Sequence, residues 1–156
     1  MKTKIVPAFL LGSCLIGLGC SQEPPATKSP VGSIQSQGRV DKATGDISAI
    51  AQLIIDLDVL QQYYHVDEVK GRKPLLIVRN KYMKHEPRLT KFGESVRFVS
   101  QSEAGDRPYL VFTNIEIAGE TASVNFQYPV EGVLGSVNLR KLNASWRVED
   151  RELYER

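Results

Sequence analysis

The sequence predicts an α+β domain, an antiparallel β meander of four to five strands with one N-terminal helix packed on one face. Three observations predict it. Apolar residues recur at three- and four-residue steps over residues 46–64, then at alternate positions from residue 95 onward. Short turn sequences separate the alternating runs, so successive strands are expected to be adjacent and antiparallel. The alternation is one-sided, which asks for a cover on the apolar face, and the 46–64 helix offers one.

The helix is read from Asp46, an N-cap type preceded by Gly45, through Ile50, Leu53, Ile54, Leu57, Leu60 and Tyr64 on one face. Residues 53–60 also hold enough β-branched side chains for a strand. Residues 74–78 form a short apolar run after Gly71, the pattern of a buried strand. Residues 80–92 carry weak periodicity and Pro87, and read as a loop with one helical turn, closed by Gly93. Val96 and Phe98 then alternate with Arg97. In the next strand Leu110 and Phe112 fall on one face, with Tyr109, Val111, Ile115 and Ile117 on the other. Ala118-Gly119-Glu120 makes a turn. Ala122, Val124, Phe126 and Tyr128 alternate with Ser123, Asn125 and Gln127, the clearest half-buried strand in the chain. Residues 129–132 turn it, and Val133, Val137 and Leu139 continue the meander. After a turn at 141–143, Trp146 and Val148 close it, with Trp146 on the apolar phase and so in the core.

The first 20 residues follow a different logic. Lys2 and Lys4 make a positive start, residues 5–18 are mostly apolar, and small residues lead into Cys20, after which the chain turns polar at Ser21, Gln22 and Glu23. This is the plan of a cleaved export signal, too short to read as a membrane span. It resembles the lipobox signal of bacterial lipoproteins, with two sites in competition. Leu11-Gly12-Ser13-Cys14 fits the four-residue pattern better, and Gly17-Leu18-Gly19-Cys20 fits it less well. Cleavage before Cys14 would leave a core of about seven apolar residues, the bottom of the working range, and strand Leu15, Ile16 and Leu18 at the new N-terminus. Cys20 is therefore the expected lipidation site. The resemblance implies a diacylglycerol thioether at Cys20 and membrane attachment through it. Ser21 stands where an Asp would commonly direct inner-membrane retention, so the outer membrane is expected if the source is Gram-negative. The expected organisation is a signal at 1–19, a lipidated Pro/Ser/Gln-rich tether at 20–45 and one domain at 46–156. A flexible tether of that length reaches ~25–30 Å.

Of 20 basic side chains, Lys2 and Lys4 leave with the signal, so 18 remain against 18 acidic ones. That balance removes the footing for nucleic-acid binding. After cleavage before Cys20 no second cysteine remains, which excludes an intramolecular disulfide, a cysteine-type zinc site and a cysteine nucleophile. Nucleophile-elbow, phosphate-loop and zinc-protease motifs are absent. No metal and no cofactor is expected.

Three residues are candidates for a ligand pocket. His65 and His85, both beside acids (Asp67 and Glu68; Glu86), could act as acid, base or ligand, and Glu131 sits at a strand turn. The bland reading is solvated loop residues. A charge feature stands out more. Residues 70–97 carry nine cations (Lys70, Arg72, Lys73, Arg79, Lys81, Lys84, Arg88, Lys91, Arg97) against Glu86 and Glu94. Such a surface could dock on anionic headgroups or an acidic partner.

The alternating Ala122-Val124-Phe126 strand, the Leu139-Arg140-Lys141-Leu142-Asn143 turn and Trp146-Arg147-Val148 resemble the close of small curved-sheet domains of the NTF2-like or cystatin-like type. That resemblance implies a sheet with helix on one face and no particular chemistry. The sequence therefore points to a lipid-anchored envelope protein with a non-catalytic binding or accessory domain. The alternative is a small ligand-binding or enzymatic domain with a pocket in a curved sheet.

Overall fold

A computed structural model describes the backbone of residues 37–156, with side chains from residue 44 onward. The expected signal, both cysteines and most of the expected tether lie outside the described residues. The chain forms α1 (Gln37–Ile55), α2 (Asp58–Tyr64), β1 (Leu76–Val78), β2 (Thr90–Lys91), β3 (Glu94–Ser95), β4 (Arg97–Val99), α3 (Gln101–Ala104), β5 (Tyr109–Ala118), β6 (Thr121–Tyr128), β7 (Val133–Leu142) and β8 (Ser145–Glu155). A 3₁₀ turn, Pro129–Glu131, joins β6 to β7.

The α+β class holds, and the detail differs. The sheet has six strands in the order β4-β1-β5-β6-β7-β8, and β2-β3 is a separate hairpin. The four long strands β5 to β8 form the expected antiparallel meander. β1 is parallel to both its neighbours, β4 and β5. Both faces of β1 are covered, since Ile77 enters the main core while Leu76 and Val78 join a second cluster with Val99 and Ala104 of α3. A continuous apolar run is what a strand buried on both faces requires.

The single helix expected over 46–64 is two helices. Leu57 leaves helical geometry (φ −51°, ψ 128°), and α2 restarts at Asp58. Side chains add hydrogen bonds to the carbonyls around the break. Gln61 Nε2 donates to Leu57 O at 2.6 Å, and Tyr64 Oη donates to Ile55 O at 3.1 Å. Asp46 is not an N-cap, because α1 begins at Gln37 and its helical backbone runs back into the last residues of the expected tether. The Asp46 carboxylate instead accepts from Trp146 Nε1 at 2.9 Å and pairs with Lys141. Those bonds fix α1 across the β7–β8 end of the sheet. No helix among the described residues is long and apolar enough to cross a membrane.

The face expectation for β5 fails beyond Phe112, at Ile115 and Ile117. The register to β6 shifts between Phe112 and Asn114, so Thr113 is an extra residue. The bulge inverts the phase, and Ile115 turns back onto the main core beside Leu110 and Phe112. β6 and β7 keep strict alternation, with Ala122, Val124, Phe126 and Tyr128 facing Val133, Val137 and Leu139 inside. Gly135 lies opposite Phe126, and a Cβ there would fall 2.2 Å from the Phe126 ring. A glycine at that position is what lets the end of the Phe126 ring approach the β7 backbone so closely.

Candidate functional site

The clearest concentration of polar groups in the core lies at the end of the sheet where β6 runs into the 3₁₀ turn. Arg72 precedes β1 and is 93% buried at its side chain, which is 7% exposed. Its guanidinium donates to Tyr128 Oη at 3.0 Å and to Glu131 Oε1 at 2.5 Å. The second Glu131 oxygen lies 3.9 Å from His65 Nε2, and His65 Nδ1 lies 3.2 Å from Glu68. His65 ends α2 in the left-handed conformation (φ 46°), which turns the chain back over the 3₁₀ turn. Arg72 Nε is buried without a hydrogen-bond partner among the described residues.

A second cation is buried on the other side of the same aromatic group. Lys91, whose side chain is 7% exposed, donates to Asp56 at 2.9 Å and Gln61 at 2.8 Å. Its ammonium sits 5.1 Å from the Tyr64 ring centroid and 5.3 Å from that of Phe92. Tyr64 meets Phe92 and Tyr128 edge-on, with centroids 5.1 and 5.4 Å apart. Two cations thus flank one aromatic cluster, each with a carboxylate partner.

The titration behaviour follows from burial. Burial pushes the Tyr64 hydroxyl well above its ordinary value, with Tyr128 and Asp56 adding to it. Burial also raises Tyr128, against the opposing pull of the Arg72 charge. For Arg72, burial works against the charge, but the bonds to Tyr128 and Glu131 outweigh it and raise the pKa. The tyrosines remain neutral donors and acceptors at neutral pH, and Arg72 remains a cation.

Of the three pocket candidates, the structure brings His65 and Glu131 together and leaves His85 out. His85 is exposed on the loop between β1 and β2. Among the described residues, no group of three His, Cys, Asp or Glu is placed to hold a metal ion. An open groove of about 540 Å³ runs between α1 and the β7–β8 turn, lined by Asp46, Ala49, Leu53 and Trp146, and none of the pocket candidates lines it. Trp146 is 5% exposed, as expected of a core residue.

The nine cations of residues 70–97 divide. Arg72 and Lys91 are buried. Arg79 pairs with Glu86 and with Glu103 of α3, and Lys73 approaches Asp67. Lys70, Lys81, Lys84, Arg88 and Arg97 are exposed and form no ion pair with another described residue. Sequence reading missed Tyr128, Arg72 and Lys91 as one constellation. One signal was present, since alternation buries Tyr128, and a buried tyrosine hydroxyl needs a partner.

No protein family, no curated protein and no solved structure matches the chain.

Proposed function

We propose that the chain is a lipid-anchored protein of the bacterial cell envelope, held by Cys20, whose domain binds a partner and does not catalyse a reaction. One observation carries the non-catalytic half of this reading. Glu131, the pocket candidate that approaches His65, is held in an ion pair by Arg72, which also donates to Tyr128. The ion pair commits the Glu131 carboxylate to Arg72, so the side chain holds the end of the sheet together instead of standing free for a reactant. The lipobox-like signal supports the anchored half, and the outer membrane is the proposed site in a Gram-negative source.

A second reading has one observation in its favour. His65 and Glu131 approach each other beside Arg72 Nε, which has no hydrogen-bond partner among the described residues, and this suits a small ligand site at that end of the sheet.

The anchor is tested by intact mass and membrane fractionation of the chain expressed with its own signal, comparing wild type with Cys20→Ser and Cys14→Ser. Loss of the lipid mass and of membrane retention in Cys20→Ser alone is the expected result. A wild-type protein without lipid, or one whose lipid depends on Cys14, contradicts it.

A further inference from the structure

The sheet has three exposed edges, and they differ in how they are protected. β4 is three residues long, too short to template a partner strand. β8 is 11 residues long, but it carries Arg147, Glu149, Asp150, Arg151, Glu152 and Glu155, and its register shifts near Asp150. Charges and a bulge are the usual protections of a long edge. The third edge is part of β5. β1 registers only against Tyr109 and Leu110, although β5 continues to Ala118. Asn80 Nδ2 takes the Phe112 carbonyl at 2.6 Å, which closes the edge for one more step. From Asn114 to Ala118 the only registered strand is β6, and no main-chain hydrogen bond joins this stretch to another described element.

This open segment reads Asn-Ile-Glu-Ile-Ala, and Ile117 is 36% exposed. It lacks the dense charge of β8. A cationic loop stands directly beside it. Tyr82 Oη donates to Asn114 Oδ1 at 3.1 Å, and Lys81 Nζ lies 4.8 Å from the centroid of the Tyr82 ring. That pins Lys81 to the flank of the open edge. The loop is held from beneath by Met83, Pro87 and Leu89, all buried, so Lys81, Lys84 and Arg88 face solvent from a fixed backbone. Glu116 is the single acid in the edge itself.

We infer that the β5 edge from Asn114 to Ala118, with the loop cations Lys81 and Lys84, is a docking site for an extended acidic peptide segment of a partner protein. The segment adds as a strand beside β5, in the lane that β1 vacates. Main-chain hydrogen bonds supply the contact, and acidic side chains facing Lys81 and Lys84 supply the selection. Lysines beside an unpaired edge serve two ends. They keep copies of this chain from pairing edge to edge, and they admit a strand of opposite charge. This inference rests on the reading that the domain is a binding module, and it names the partner's chemistry.

The test uses the full chain in detergent and three synthetic octapeptides. One alternates Thr or Val with Glu, one alternates the same residues with Lys, and the third is the Glu peptide methylated at alternate backbone nitrogens. Hydrogen exchange read by mass spectrometry reports on residues 114–118. The Glu peptide, at concentrations up to about 1 mM, is expected to slow exchange there, with binding about tenfold weaker for Lys81→Glu and for the Lys peptide. The methylated peptide, unable to pair as a strand, is expected to give no protection. No protection by the Glu peptide, equal binding of all three, or protection confined to β8 would each overturn the inference. None of these outcomes touches the lipid-mass result at Cys20, so the anchor and the docking site fail separately.

Discussion

The β5–β8 meander and the basic segment from Lys70 to Arg97 obey different rules. In the meander, a residue's position along the strand decides where its side chain goes. Ala122, Val124, Phe126 and Tyr128 are buried, and Ser123, Asn125 and Gln127 between them are partly exposed. In the basic segment, residue type and local pattern do not decide which cation is buried. Arg72 is buried while Lys70 and Lys73 beside it are exposed, and Lys91 is buried while Arg88 is exposed. The difference lies in what each side chain can reach. Arg72 meets Tyr128 and Glu131, 56 and 59 residues away, and Lys91 meets Asp56, 35 residues away. Two cations of one segment thus join the fold, while others remain on the surface.

The comparison can be broken most sharply on the meander side. Gly135→Ala places a methyl group inside van der Waals contact of the Phe126 ring. It is expected to cost about 3 kcal/mol in chemical denaturation, near the upper end for overpacking. A cost below about 1 kcal/mol would mean that the Phe126 ring has room to move and that the strand pairing is looser than described.

The two buried cations should respond unequally. Arg72→Met leaves Tyr128 Oη and Glu131 without their donor, and a loss of about 2 kcal/mol is expected, reduced because Glu131 can rehydrate. Lys91→Met puts an unbranched apolar chain between Tyr64 and Phe92, and Asp56, at 48% exposure, returns to water. Its cost is expected to be under about 1 kcal/mol. Equal losses would show that the Arg72 clamp is no stronger than the Lys91 pair.

Alkaline titration sharpens the same point. Burial raises Tyr64 and Tyr128, and acidic hydrogen-bond partners raise Tyr63 and Tyr154. Raised tyrosines favour the neutral form in the folded state. Their contribution to stability is whole below about pH 10 and is lost as pH climbs toward their folded values. Tyrosinate absorbance at pH 10.5 should therefore be well below that of six free tyrosines and rise on adding denaturant. Full ionisation in the native protein would contradict the burial of Tyr64 and Tyr128.

How much of this was legible in the sequence follows the same divide. Alternation located β5 to β8 and the place of Trp146, because a strand's period needs only its own residues. It erred at Ile115 and Ile117, because a bulge at Thr113 is set by the pairing with β6. The helical period over residues 46–64 was real, and the break at Leu57 was hidden. The side chains that relieve it, Gln61 and Tyr64, themselves fit a continuous helix. The parallel pairing of β1 was equally hidden, since three apolar residues carry no direction. At the candidate site, His65 and Glu131 were readable as polar groups at chain reversals. Arg72 was not readable as their partner, because charge in a sequence does not report whether it is buried.

Lysine acetylation of the native full chain, quantified residue by residue, reads out whether one basic segment supplies both the core and the surface. Lys70, Lys73, Lys81 and Lys84 are expected to react at rates near those in denaturant. Lys91, held by Asp56 and Gln61 over two aromatic rings, is expected to be protected about a hundredfold, the factor for ~2.7 kcal/mol of local opening. Lys91 reacting as fast as Lys81 and Lys84 would contradict the account.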